Sequence, residues 1–319
     1  MNRIVVLGGS GFIGRHLCEK WVASWPEGSA TVVVPTRRPA HVRDLLPLPG
    51  IEPALLERLD EKRLAPLLHG ADAVVNLVGI LHGSEAAFRQ AHAGLPEQLV
   101  RACRQAGVRR VVHVSALGAS ADAPSHYLRS KAAGEAALRA ATDLQLTLLR
   151  PSVVFGEGDR FLTLFARLQR SFPVLPLAGG ESRLQPVWVE DVARAILRCL
   201  DRPDSIGQVY ECAGPRVYTL RELVHCAGVW SGHSRPVLPL PPVLGRLQAL
   251  LLEALPGEPL MTRDNLASLQ VDNVASGRCP GLRELHITPA ALEAIAPGYL
   301  AEPGLTDRLY GLRATARRG

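Results

Sequence analysis

Apolar residues in the first half of the chain come in short blocks: "RIVVLG", "ATVVVPT", "LLERLD", "DAVVNLVG", "VVHVSAL" and "LTLLRPS". Most lack the regular polar alternation of a half-exposed sheet, so they read as strands covered on both faces. The stretches between them, residues 12–22, 61–68, 86–106 and 127–141, place apolar side chains at helical spacing instead. Strand–helix alternation of this kind builds a parallel sheet with helices on both sides. The expected class is α/β, a Rossmann-type doubly wound parallel sheet spanning residues 1–150.

Beyond Arg150 the rhythm changes. Prolines become frequent, strands become rarer and helices carry explicit start signals. "TLRE" at Thr219 to Glu222 is a capping box, and "TPAALE" suggests an N-cap at Thr288 with Pro289 in the first turn. Residues 151–185 and 215–305 are expected to form a smaller, mostly helical C-terminal lobe for substrate or interaction. Residues 186–214, with "LQPVWVEDVARAIL" and "GQVYECAG", return to the sheet, and 306–319 form a frayed tail. Val243, Leu244, Leu247, Leu251 and Leu255 recur at helical spacing. Their stripe predicts core or a lid over the cleft, with a partner or membrane docking surface as the alternative.

Charge and composition narrow the partners. The net charge of +6 comes from thirty-three arginines and only three lysines, Lys20, Lys62 and Lys131. The arginines are spread evenly and lack interleaved aromatics, which fits a solvated surface and not a nucleic-acid footprint. Six cysteines show no CxxC and ten histidines no HExxH, so a metal site is not expected and a reducing, cytoplasmic setting is. The apolar run in "MNRIVVLGGSGFIG" is too short for a signal peptide. "PVLPLPPVLGRLQALLLEALPGEPL" is broken by prolines, Arg246 and Glu253, short of the roughly 20 apolar residues a span needs. Peripheral contact with the inner membrane stays open.

Candidate chemistry begins at the first turn. Gly8, Gly11 and Gly14 stand in a GxxGxxG frame between the first strand and the first helix. Glycines there let the backbone approach a pyrophosphate, which the helix N-terminus then holds. Gly8, Ser10, Gly11, Phe12, Ile13 and Gly14 are therefore candidate contacts, and residues 1–150 a dinucleotide-binding domain. The second strand ends in "VVVPTRRPA", with Arg37 and Arg38 where an acid would hold the ribose hydroxyl of NAD. Guanidinium groups suit a 2′-phosphate, so NADP(H) is favoured over NAD(H). Asp60, closing the apparent third strand, could accept a hydrogen bond from the adenine amino group. Leu77, Val78 and Gly79, in "NLVGI" at 76–80, lie where backbone passes the adenosine ribose and phosphates.

"SHYLRSKAAGE" places Tyr127 and Lys131 one helical turn apart. A phenol titrates at about 10 unaided, and a neighbouring ammonium favours its ionised form. With five tyrosines and three lysines, the spacing would arise by chance only about 0.05 times.

With "GGSGFIG", "AVVNLVG", "VVHVSALG", "YLRSKAAGE", "LLRPSVVFGEGD" and "VWVEDVARAI", the chain resembles the extended short-chain dehydrogenase/reductase superfamily. The resemblance implies Tyr127 as catalytic acid/base, Lys131 as its helper and Ser115 as a weaker third member. It also puts "RPSVVFG", with Pro151 and Val153, beside the nicotinamide. "VVVPTRRP", "YECAGPRVYTLREL" and "LPGEPLMTRDNLASLQVDNV" resemble the atypical branch more closely. That branch contains the nucleotide-binding accessory subunit of respiratory complex I and bacterial relatives labelled nucleoside-diphosphate-sugar epimerases, and typically carries NADP(H). The chain departs from the enzymes at two points. Ala116 and Leu117 stand where a Ser or Thr is usual, and "FRQAHAG" offers His92 where many relatives carry an asparagine.

The resemblance thus implies an NADP(H)-holding protein with a structural or regulatory role, linked to respiratory complex I or quinone metabolism. The alternative is an active oxidoreductase or nucleotide-sugar epimerase/dehydratase using the Tyr–Lys pair on a small-molecule substrate. The superfamily at large would suggest a third reading, an NAD-dependent carbohydrate-modifying enzyme.

Overall fold

The computed structural model of the chain describes residues 1–26, 29–254, 257 and 259–301. β1 (Arg3–Leu7) sets the pattern of the sheet: Ile4 and Val6 pack on one side, Val5 and Leu7 on the other, all fully buried. After it come α1 (Phe12–Ala23), β2 (Thr31–Thr36), β3 (Ile51–Leu55), α2 (Glu61–Leu68), β4 (Ala73–Asn76) and α3 (Glu85–Arg89). α4 (Leu95–Ala106), β5 (Arg110–Val114), α5 (His126–Arg139) and β6 (Gln145–Pro151) complete the first part. The second part contributes β7 (Val154–Phe155), α6 (Leu162–Ser171), β8 (Leu175–Ala178), β9 (Arg183–Leu184), β10 (Val187–Trp188) and α7 (Val189–Asp201). It continues with β11 (Val209–Cys212), β12 (Tyr218–Thr219), α8 (Leu220–Trp230), β13 (Val237–Leu240), α9 (Pro242–Glu253), α10 (Arg263–Ser268) and α11 (Leu292–Leu300).

Seven strands form one all-parallel sheet in the order β11-β6-β5-β4-β1-β2-β3. This is the doubly wound arrangement that the apolar blocks predict. α1 and α7 cover one face through Leu17, Trp21, Val192 and Ile196; α2, α4 and α5 cover the other through Leu64, Leu99 and Leu138. Each such side chain contributes about 1.5–3 kcal/mol by leaving water. Glu190 ties α7 to α1 by pairing with His16 and Lys20. Not every arginine is a surface charge. Arg110 on β5 is 4% exposed and spends its guanidinium on Gln145 O (2.6 Å), Thr147 Oγ1 (2.9 Å) and Ser205 Oγ (2.9 Å).

A smaller lobe packs α6, α8 and α11 around Phe165, Leu175, Tyr218, Leu223 and Ala296. The Thr219–Glu222 capping box forms at the start of α8. Three two-stranded pairs, β10 with β7, β12 with β9 and β13 with β8, accompany the helices.

Several sequence expectations are corrected. The third strand is Ile51–Leu55, not the "LLERLD" block, and Asp60 is the N-cap of α2 with its side chain accepting from the Arg63 N–H at 3.1 Å. The strand closes at Leu55, and the N-cap signal at Asp60 commits the residues after it to a helix. The 86–106 helix is three pieces, because residues Gln90–Gly94 form a π-helical turn between α3 and α4. Thr288 caps nothing: α11 starts at Leu292 behind Ala291, and the Ala290 N–H is taken by Asp191 Oδ2 at 2.8 Å. That bond helps keep the chain before α11 out of a helix. The α9 stripe is not core. Val243 is 76% and Leu251 62% exposed, with Leu244 and Leu247 also outward, while Gly245 and Ala249 form the buried side of the helix. The small inward residues bring α9 close to β8 and turn the leucines out. Leu255, the 306–319 tail and the last residues of the 215–305 range lie outside the described residues.

Candidate functional site

Because all strands run the same way, their carboxyl ends share one edge, and every candidate residue lies along it. In sheet order these are Asp60 after β3, Arg37 and Arg38 after β2, the glycine loop after β1 and Leu77 to Gly79 after β4. Ser115 after β5 and Pro151 with Val153 at the end of β6 follow. The connection reverses direction between β1 and β4, and a crevice opens there in sheets of this type.

The glycine loop is built backbone on backbone. A Cβ on Gly14 would stand 2.5 Å from Gly9 Cα, so only glycine fits. Gly8 has φ +81°, and its Cβ position lies 3.2 Å from the Leu77 carbonyl carbon, which packs the loop against the end of β4. α1 has no side-chain cap and no acid in its first turn. The first intrahelical bond is Arg15 N–H to Gly11 O at 3.0 Å, so the N–H groups of Phe12, Ile13 and Gly14 precede it at the positive end of the helix. Arg37 and Arg38 are exposed, and neither has an ion pair among the described residues. Thr36 Oγ1 fixes their turn by donating to Arg38 O at 3.0 Å. The Asp60 carboxylate pairs with Arg63 Nη1 at 2.5 Å, so its adenine role would have to compete with that bond.

The opposite end centres on α5. Ser125 caps it by accepting from the Leu128 N–H at 3.2 Å. Arg150 of β6 grips Glu135 with two bonds of 2.8 and 2.6 Å, which sets the helix against the sheet. Lys131 is 4% exposed, and its Nζ donates to Val114 O at 3.2 Å. Burial pulls its pKa down to about 8, opposed in part by Glu135. Burial pushes the Tyr127 phenol up to about 12. Desolvation thus dominates over the ionising help expected from the lysine, and the Tyr127 phenol stays protonated at neutral pH. Lys131 keeps its charge at neutral pH.

Neutral polar groups surround the pair. The π-helical turn carries His92 inward, and Gly134 permits the approach, since a Cβ there would overlap the His92 carbonyl oxygen. His92 Nε2 accepts the Ile80 N–H at 3.0 Å, so Nδ1 carries the proton and donates to Ser130 Oγ at 2.8 Å. Ser130 in turn donates to Tyr127 O at 2.7 Å. The imidazole stands edge-on to Tyr127, ring centres 5.5 Å apart. Burial and the Lys131 charge hold its pKa down to about 3. Beneath lies His113 of β5, joined to Asn76 at 3.1 Å and kept well below its ordinary pKa by burial.

The third expected catalytic group is buried. Ser115 is 3% exposed, and its Oγ is buried without a hydrogen-bond partner among the described residues. Leu117, two residues on, is 2% exposed. Asn273 was not foreseen. Its Oδ1 accepts from Ser152 Oγ at 2.6 Å and the Val153 N–H at 2.8 Å, beside Pro151. No signal in "LQVDNV" marks it. Among the described residues no cluster of metal-ligating side chains occurs, and no helix is long and apolar enough to cross a membrane.

Residues 4–213 match the NAD dependent epimerase/dehydratase family, and the chain belongs to that family. The chain is 30% identical over 295 residues to NADH dehydrogenase (ubiquinone) 1 alpha subcomplex subunit 9, mitochondrial, of Mus musculus. That alignment covers 90% of this chain and 77% of the mouse protein. The Arabidopsis thaliana protein of the same name is 28% identical over 313 residues, covering 93% and 77% of the two chains. Among solved structures, a double mutant of dTDP-glucose 4,6-dehydratase from Streptomyces venezuelae, with NAD bound, superposes with a TM-score of 0.73. It is 22% identical, with 93% of this chain and 95% of that one covered, and shares the fold.

Proposed function

We propose that the protein holds NADP(H) along the carboxyl edge of its sheet, in a structural or regulatory role within a respiratory or quinone-metabolism assembly. One observation carries the reading: α1 starts with no cap and no acid on a glycine loop, while at the other end Ala116 and buried Leu117 follow Ser115, whose hydroxyl is buried without a partner among the described residues. The respiratory link rests on the names of the curated relatives. The residues present fit the dinucleotide. A first turn without an acid or a cap suits a diphosphate, and two exposed arginines without acid partners suit a 2′-phosphate. Lys131 would exchange its bond to Val114 O for the nicotinamide ribose hydroxyls. When bound, the nicotinamide supplies a hydride donor or acceptor.

The test is to purify the protein, release its nucleotide and identify it. NADP(H) is expected. Recovery of NAD(H) alone, or no measurable affinity for either coenzyme, overturns the reading.

A second reading, an active oxidoreductase or nucleotide-sugar epimerase, is favoured by the intact Tyr127–Lys131 pair. Tyr127 would pass its proton to a substrate oxygen as hydride moves. Tyr127→Phe discriminates. In an enzyme it abolishes cofactor turnover and leaves nucleotide binding within about threefold, the loss of one weak hydrogen bond. In a nucleotide holder neither form turns over.

A further inference from the structure

We propose that residues 262–273 form a strap from the C-terminal lobe whose Asp264 and Asn273 are positioning residues. They fix the two segments between which the nicotinamide end would lie. The inference rests on the dinucleotide reading of the cleft.

The strap is anchored in its own lobe at both ends. At the start, Glu253 of α9 takes the Arg263 N–H at 2.6 Å and its Nε at 2.9 Å, and Thr262 and Asn265 close a capping box on α10. At the end, the Asn273 N–H donates to Arg183 O at 2.8 Å, and the Gln185 N–H to Asn273 O at 3.0 Å. In between, Ser182 Oγ holds Leu269 O at 2.6 Å.

Two side chains then reach across to the sheet domain. Asp264 Oδ1 accepts the His126 N–H at 2.6 Å and Oδ2 the Tyr127 N–H at 3.0 Å. Ser125 accepts the next two, Leu128 through its hydroxyl and Arg129 through its carbonyl at 3.1 Å. The Arg129 bond is the first within the helix, and the three N–H groups ahead of it are thereby satisfied, the first two by a carboxylate from another lobe. The turn carrying Tyr127 is held from outside its own segment. Asn273 does the same for the facing loop, through Ser152 and Val153.

The chemistry of the two contacts differs, which makes them testable. Two parallel N–H groups need two acceptor oxygens. Asp264→Asn has the same shape but would turn an NH2 toward one of them, so the isostere should fail. Asn273 uses only its amide oxygen on Ser152 and Val153, so Asn273→Asp should succeed where Asn273→Ala fails. A packing role would give neither pattern.

Titrate the full-length wild type and the variants Asp264→Asn, Asn273→Ala and Asn273→Asp with NADPH and with 2′-phospho-ADP-ribose, which lacks the nicotinamide. Follow amide exchange at 126–131 and 262–273, and check folding by circular dichroism. Asp264→Asn and Asn273→Ala are expected to weaken NADPH about tenfold, the loss of a charge-assisted or buried hydrogen bond, and to leave the fragment unchanged. NADPH should slow exchange in the wild-type strap, and Asn273→Asp should bind as the wild type. Wild-type affinity for NADPH in Asp264→Asn and Asn273→Ala, or an equal loss for NADPH and the fragment, overturns the strap and leaves the dinucleotide reading standing. If the wild type binds neither ligand, both fall together.

Discussion

The two ends of the sheet's carboxyl edge are made in different ways. The end at β1 is a single loop of consecutive residues whose fit is set by backbone against backbone: Gly8 against Leu77, Gly14 against Gly9. The end at β5 and β6 is assembled from remote segments: Tyr127 and Lys131 on α5, His92 from the π-helical turn, Ser152 beside Asn273, and Asp264 from the far lobe. A site made of one loop tolerates little and depends on few other segments, here the end of β4 at Leu77. A composite site can lose a member and keep the rest, and the proposed nucleotide-holding role takes Leu117 and Ser115 in that sense. Gripping and reacting are separable properties of this fold.

Gly14→Ala probes the local end hardest. The new methyl would overlap the backbone at Gly9, where no side chain can give way. The expected cost is about 3 kcal/mol of stability, with nucleotide binding abolished. Thermal unfolding and NADPH titration measure both. A variant that binds like the wild type would mean the loop is not the phosphate cradle, and the contrast between the two ends would dissolve.

Arg37→Ala with Arg38→Ala sharpens the contrast by removing charge without touching the fold. Both side chains are exposed, so stability should hold. Affinity for NADPH should fall at least about 100-fold, with each lost charged hydrogen bond contributing about 1.5–3 kcal/mol, while affinity for NADH stays level. Parallel titrations of the two coenzymes decide it. An equal fall in both would remove the arginines from the 2′-phosphate.

The same contrast explains what the sequence could reveal. The glycine frame, the strand-end arginines and the Tyr–Lys spacing are local, and each carries a signal within a few residues. β1, β2, β4, β5 and β6 were legible because buried parallel strands read as apolar blocks. The third strand was misplaced because "IEPALLERLD" offers two overlapping candidates, and Asp60 belongs to the helix start. The direction of the α9 leucines was open, because spacing shows that a face exists and not which way it turns. That depended on Gly245 and Ala249 settling toward β8. Asp264 and Asn273 lie in a stretch that carries the family resemblance, but nothing in it signals their contacts, since their partners lie more than a hundred residues away. His92 stood out only as an unusual residue, and the turn that brings it inward is a tertiary outcome.

His92 also offers the finest test of the composite end. Its folded pKa, about 3, lies below the ordinary value of 6.5, so the fold favours the neutral ring. Below pH 6.5 the unfolded chain binds the proton and the folded one does not. Stability should therefore be fully present above 6.5 and be lost progressively as pH falls toward 3. Buried His113 is displaced the same way and adds to the slope. His92→Gln removes one of the two contributions. Its amide can still accept from Ile80 and donate to Ser130, so at neutral pH the cost should be only about 1 kcal/mol. Below pH 6.5 the variant should lose stability less steeply than the wild type, and under acid the two unfolding temperatures should converge. Identical pH slopes would show that His92 is not held neutral beside Lys131, and the Tyr127 end would then be a looser assembly than its hydrogen bonds imply.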